Sequence, residues 1–271
     1  MPDLMVRQVV KVTVSFILAV FALTCATLRA SATQAVAGER PRAVIDLSGV
    51  DTFLELTSLL EQDKEPTPEQ WDRLFSTPGY AVLIKREFSR DFFIDRFRLA
   101  FMPSNKSSLE AQMKKDTGFW AQFLPHYLRA KQMRKDIERR AAEMRTAEFA
   151  EEAINRARAF LPELRTDERP SIAFVVFAPD SRGYDPVVID ILYMNDREEF
   201  LSTVAHEIHH WYRARLAPDL TRDQDVLSVI QQVQLEGIAD LINVAGWMNR
   251  PPETLSPSNR QYIDFYRKSP E

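Results

Sequence analysis

The sequence predicts an α+β protein that is predominantly helical, with a short β-sheet near its C-terminal end. Three observations carry this. Glycine is scarce, at 7 of 271 residues, while the strong helix formers Ala, Arg, Glu and Leu are plentiful. Helical periodicity with its start and stop signals runs from Ser48 to about Leu161. After Pro162 the text changes to two runs of β-branched and aromatic residues, followed by two more helical patterns. The balance of 45% hydrophobic and 27% charged residues is that of an ordinary globular chain. A formal net charge of −4 leaves no basic footprint, which argues against nucleic acid as a partner.

Residues 1–32 read as a signal peptide. Arg7 and Lys11 precede an uncharged, mainly apolar run from Val12 to Leu28, and Ala30-Ser31-Ala32 follows as a small-x-small cleavage signature. Ala35-Val36-Ala37 is a second candidate for cleavage. The run falls short of the ~20 residues that span a bilayer comfortably. A cleaved leader is therefore favoured over its alternative, an uncleaved anchor. The expectation is export to the periplasm or the exterior, with no membrane contact after cleavage. The removed segment carries Asp3 against Arg7, Lys11 and Arg29, a net +2, which leaves the mature chain at −6. Cys25 is the only cysteine and lies in this run, behind the poor lipidation context Ala22-Leu23-Thr24. The mature chain would then have no thiol for a disulfide, a zinc site or a nucleophile.

Residues 33–165 form the expected helical N-terminal region, opening on a small, polar and flexible stretch over 33–45. Thr67-Pro68-Glu69-Gln70 combines an N-cap, a proline at the first helical position and an acid in the first turn. Ser89 opens a periodic run containing Phe92, Phe93, Phe97 and Phe101. From about Lys131 to Leu161, acids and bases alternate with few large apolar residues, which predicts a solvated helix or helix pair. His126 reads as a core-edge or solvent histidine ahead of a catalytic one.

Residues 166–271 form the second region. Ser171 to Phe177 reads as a strand, Pro179-Asp180-Ser181-Arg182-Gly183 as a turn, and Val187 to Tyr193 as the returning strand. Asp196, with Glu199 three residues on, has the pattern of a capping box. The helix it opens has a buried stripe of Phe200, Leu201, Val204, Ile208 and Trp211. A second helix runs from about Asp223 to Trp247 and is stopped by Pro251-Pro252.

Each of these two helices carries part of one pattern. His206-Glu207-Ile208-His209-His210 is an H-E-x-x-H motif. Histidines four apart differ by only about 40° around a helix, so His206 and His210 project from one face and can take neighbouring corners of a tetrahedral Zn²⁺. Glu207 stands beside the first ligand, where a carboxylate can accept a proton from the metal's water. His209 is extra to the motif. An exposed helix can carry the bare pattern by coincidence, but Glu236-Gly237-Ile238-Ala239-Asp240 follows on the next helix. Glu236 can supply the third protein ligand. Asp240, one turn on, can accept the free ring N–H of a ligand histidine. Gly237 is expected to let this helix approach the first closely. The bland alternative for Glu236 is an ordinary solvated helix glutamate.

This combination resembles the gluzincin zinc metallopeptidases, the thermolysin-like clan, over roughly the last hundred residues. Its E-G-x-A-D form looks closest to poorly characterised bacterial families of zinc-dependent peptidases. The resemblance implies one zinc per chain on His206, His210 and Glu236, Glu207 as general base and Asp240 behind the ligands. It also implies a zincin-like core packed on the helical N-terminal region. It further implies that the strand before the motif helix borders the cleft and pairs with extended substrate, which here points to Val187, Ile189 and Ile191. Tyr193, Tyr212, Tyr262 and Tyr266 are each candidate donors to a developing oxyanion. Tyr262 and Tyr266 come first, because the family's donor often follows the third ligand. The expected function is an exported zinc metallopeptidase acting on peptides or proteins. The alternatives are a non-catalytic interaction protein that keeps the metal as scaffold, and a zinc hydrolase acting on a non-peptide substrate.

Overall fold

The computed structural model describes residues 44–145, 147–161, 168–193, 196–216, 225–247, 250–255, 260 and 264. Among these, one four-stranded sheet sits within ten α-helices, an α+β arrangement that is mostly helical. The strands are β1 (Val44–Asp46), β2 (Ser171–Val175), β3 (Ser181–Arg182) and β4 (Val187–Asp190), in the spatial order β1-β2-β4-β3. β1, β2 and β4 run parallel, with Ile45 opposite Ile172 and Phe174 opposite Ile189. β3 runs antiparallel to β4, with Ser181 opposite Ile189.

Two expectations about the sheet are corrected here. Val44 and Ile45, the end of the stretch expected to be flexible, form β1 with Asp46 and pair with β2, while residues 33–43 lie outside the described residues. The three residues of β1 are too few to register as a periodic pattern. Secondly, the strand beginning at Val187 does not return antiparallel to β2. The chain passes from β2 beyond β4 to β3, turns at Gly183 to Pro186, and comes back as β4 parallel to β2. The sequence carried a hint of this. Ile172 to Val175 and all of β4 are buried, and strands covered on both faces read as continuous apolar runs, as parallel strands do.

The helices between β1 and β2 form one long crossover: α1 (Ser48–Leu60), α2 (Pro68–Phe75), α3 (Pro78–Arg86), α4 (Arg90–Phe101), α5 (Lys106–Lys115), α6 (Phe123–Gln132), α7 (Arg134–Met144) and α8 (Ala147–Arg158). Their starts follow local chemistry. Thr67 caps α2 in a complete capping box with Gln70, and the Ser89 hydroxyl accepts from the Phe92 N–H at the start of α4. Their core is aromatic. Phe97 meets Tyr127 edge-on with ring centres 4.9 Å apart, and Phe53, Phe93, Phe101 and Phe123 are fully buried beside them. Burying each such ring is worth about 1.5–3 kcal/mol. Gly79 lets α3 press on β2, since a Cβ there would meet Val175 Cγ1 at 2.5 Å.

The stretch expected to be solvated is α7 and α8, and each instead buries one face; in α7 this is Ile137, Arg140, Ala141 and Met144. Phe149, Ala150, Ala153, Ile154 and Ala157 of α8 are buried, and Phe149 stacks on Phe200 at 5.8 Å. Alanines are too small to mark an apolar face by pattern, yet they let two helices come close. Their partner is α9 (Arg197–Leu216), which also lies against β3 and β4 and against α10 (Asp225–Trp247).

Candidate metal centre

α9 forms for reasons legible in its sequence. The Asp196 carboxylate accepts from the N–H groups of Glu198 and Glu199 at 2.9 and 3.2 Å, which caps the helix. Phe200, Leu201, Val204, Ile208, Trp211 and Tyr212 are buried. Packing on three sides fixes the rotation of α9 about its axis, and so fixes where His206 and His210 point.

They point at α10. His206 Nε2 and His210 Nε2 are 2.9 Å apart, and Glu236 Oε2 lies 3.4 Å from His210 Nε2 and 3.9 Å from His206 Nε2. Donors on one face of a tetrahedral zinc, with bonds of about 2.0–2.2 Å, stand roughly 3.3–3.6 Å from one another. The three observed separations straddle that value, so the residues present fit the ion. Among the described residues this is the one group of three or more His, Cys, Asp or Glu side chains close enough to hold a metal. The surroundings of the histidines also bear on their protonation. His206 is pushed down to about 4, by burial first and then by the neighbouring His210, against the pull of Asp240. Burial likewise lowers His210, with Glu236 and Asp240 opposing. Burial thus favours the neutral form of both imidazoles, the form that ligation demands.

Behind the ligands, Asp240 Oδ1 lies 3.9 Å from His206 Nδ1, while the side-chain amide of Asn243 reaches the same nitrogen at 2.9 Å. Glu236, Asp240 and Asn243 share one face of α10 at spacings of four and three. The atom that faces Nδ1 is the amide nitrogen Nδ2, while Oδ1 is buried with no partner among the described residues; with the amide turned over, Oδ1 would accept the Nδ1–H and leave Nε2 free for a metal. Sequence reading missed Asn243, although its place one turn beyond Asp240 was available as a signal. Gly237 contradicts the role expected of it. It faces outward with nothing within 4 Å of where a Cβ would stand, while Ala239 and Ile242 are the buried residues among the described side chains of α10. The position is about 100° round the helix from Glu236, away from α9.

Glu207 is 8% exposed, and its Oε1 accepts a 2.8 Å hydrogen bond from the Ser181 hydroxyl of β3. Burial, with Asp180 and Glu236 adding like charge, pushes its carboxyl up to about 7, against the Ser181 hydrogen bond and Arg182. Gly183 follows in the turn after β3. A Cβ there would stand 2.6 Å from His210 Cβ and 3.1 Å from the Glu207 carbonyl oxygen, so only glycine lets this turn lie on α9.

The edge-strand assignment of Val187, Ile189 and Ile191 is corrected. β4 has β2 on one side and β3 on the other, and Ile191 donates its N–H to the Val175 carbonyl. Their backbone groups are used inside the sheet, and the edge beside the motif helix belongs to β3.

Of the candidate tyrosines, Tyr262 and Tyr266 lie outside the described residues. Tyr212 donates its hydroxyl to the Glu168 carbonyl at 3.1 Å. Tyr193 shares the surroundings of the base: burial first, then Asp180 and Glu207, push its phenol up to about 12. His209 is fully buried on α9, away from the ligand face. His126 is no solvent histidine either. It is 3% exposed and its Nε2 lies 2.9 Å from Asp190 Oδ2 in a separate interior contact.

A family model described as "Putative zinc dependent peptidase (DUF5700)" matches residues 71–271. No curated protein and no solved structure matches the chain.

Proposed function

The chain belongs to the DUF5700 family, and with that as premise we propose that it is a single-zinc metallopeptidase. The observation that carries this reading is the convergence of His206, His210 and Glu236 beside a buried glutamate that is not one of the three. His206, His210 and Glu236 would hold the ion, and Asn243 and Asp240 would orient the His206 ring. Zinc, when bound, supplies Lewis acidity towards the scissile carbonyl and lowers the pKa of water to about 7. Glu207 takes a proton from the attacking water and passes it to the leaving amine.

An extended peptide would lie along the outer edge of β3, since β4 is enclosed. Tyr193 is the donor to the developing oxyanion that the described residues favour, with Tyr262 and Tyr266 as the other candidates. Export with cleavage after Ala32 places this chemistry outside the cytoplasm. Digestion of a mixed peptide pool by wild type and Glu207→Gln, with zinc measured in both, tests the reading. Cleavage by the zinc-loaded wild type alone supports a peptidase. Cleavage by neither, with zinc bound in both, turns the assignment to a metal scaffold or to a non-peptide substrate.

A further inference from the structure

We infer that Ser181 is a positioning residue that fixes the Glu207 carboxylate, so that Oε2 is the oxygen that receives the water proton. The inference deepens the hydrolase reading and rests on it.

Three observations carry it. First, the Ser181 hydroxyl provides the one hydrogen bond that the Glu207 side chain makes among the described residues, at 2.8 Å to Oε1. Both residues are buried, at 6% and 8% exposure, so solvent does not compete for that contact. A carboxylate held by one oxygen can no longer rotate about its last bond, and a lone pair on Oε1 is already engaged.

Secondly, Ser181 is itself held. Its N–H donates to Asp180 Oδ1 at 2.9 Å, and its residue pairs with Ile189 across the β3–β4 ladder. The next residue, Arg182, donates from Nε and Nη2 to both oxygens of Glu87 at 2.7 and 3.0 Å, tying β3 to the end of α3. Bidentate arginine–carboxylate contacts of this kind fix geometry as well as adding energy. Thirdly, Gly183 lays the following turn directly on α9, where any Cβ would collide with His210. β3 is therefore clamped to the helical crossover on one side and to the motif helix on the other. The hydroxyl between these clamps is a fixed donor.

In the proton transfer, the water O–H bond breaks and an Oε2–H bond forms while Oε1 keeps its bond from Ser181. The proton then leaves Oε2 for the amine of the departing fragment. Without the hydroxyl, the carboxylate can turn away from the water, and misplacing a reacting group by about 1 Å costs on the order of 100-fold in rate.

The test uses the full mature chain loaded with zinc, as wild type, Ser181→Ala, Ser181→Thr and Glu207→Gln. Zinc content and the thermal midpoint are recorded for each, with kcat and KM on a fluorogenic peptide. Cobalt-substituted samples are titrated with acetohydroxamate, followed by the visible spectrum of the metal. Acetohydroxamate hands its acidic proton to a base beside the metal, so its affinity reports the placement of Glu207 without turnover. Ser181→Ala is expected to keep its metal, to lose roughly 10- to 100-fold in kcat and to hold KM within about twofold. It should also bind acetohydroxamate roughly tenfold more weakly, and Ser181→Thr should recover most of both losses. Wild-type kcat and wild-type acetohydroxamate affinity in metal-loaded Ser181→Ala would overturn the inference. If Ser181→Ala does not fold, a folded and metal-loaded Ser181→Thr that recovers neither property overturns it as well. If the wild type cleaves no peptide, the peptidase reading fails, and the acetohydroxamate comparison still decides the role of Ser181.

Discussion

Asn243 approaches His206 more closely than Asp240 does: its side-chain amide is 2.9 Å from Nδ1, against 3.9 Å for the Asp240 carboxylate. The contact crosses from α10 to α9 on the Nδ1 side of the ring, while Nε2 faces Glu236 at 3.9 Å. Asn243→Ala should weaken zinc binding by roughly 10- to 100-fold, the usual loss when a ligand histidine loses its orienting partner. Asp240→Ala should cost less, because at that separation its effect is mainly one of charge. Competition against a chelator measures both. A larger loss for Asp240→Ala would return the orienting role to the aspartate.

The ligand set makes a sharper prediction. Purified protein should carry about one zinc per chain, and His206→Ala, His210→Ala or Glu236→Ala should each remove most of it, since a catalytic site needs three protein donors. Elemental analysis of Glu236→Ala decides the third ligand, because full occupancy there would exclude it.

Glu207→Gln keeps the size of the side chain and its capacity to accept from Ser181, while removing the proton acceptor. Zinc should stay and turnover should fall by about 10²–10⁴-fold, the range for loss of a general base. Equal rates in variant and wild type, with equal zinc, would place the base elsewhere.

Away from the metal centre, Asp190 is fully buried and accepts from the Phe177 and Leu192 N–H groups at 2.7 and 2.8 Å, with His126 Nε2 at 2.9 Å. It joins β4 and the segment after β2 to helix α6 of the crossover. Asp190→Ala strands all three partners in the interior and should cost about 3–5 kcal/mol in urea unfolding. His126→Ala leaves the two backbone contacts in place and should cost less. A reversed order would show that the histidine, through its packing, dominates the contact.

The product recovered outside the cytoplasm should begin near Thr33, or near Gly38 if the second cleavage site is used. Mass spectrometry finding residues 1–32 retained on a membrane-bound form would replace the leader with an anchor.

What the sequence by itself determined is local. The capping box at Thr67, the Asp196 cap of α9 and the stripe from Phe200 to Trp211 were all readable, because each is settled by residues within a turn or two of one another. For the same reason His206 with His210, and Glu236 with Asp240, could be placed on common helix faces. That the two pairs face each other was expected from resemblance, and no periodicity requires it. Tertiary structure decided the rest. It made β4 an inner strand and β3 the edge, because pairing order depends on contacts between distant segments and not on the alternation within either. It buried the alanines of α8 and turned Gly237 outward, since a helix face becomes a core face only when a partner covers it. It also brought Ser181 to Glu207 and Asn243 to His206, across 26 and 37 residues of chain. Hydrogen bonds over such separations leave no pattern in the text, because they form only after the sheet and both motif helices have been packed together.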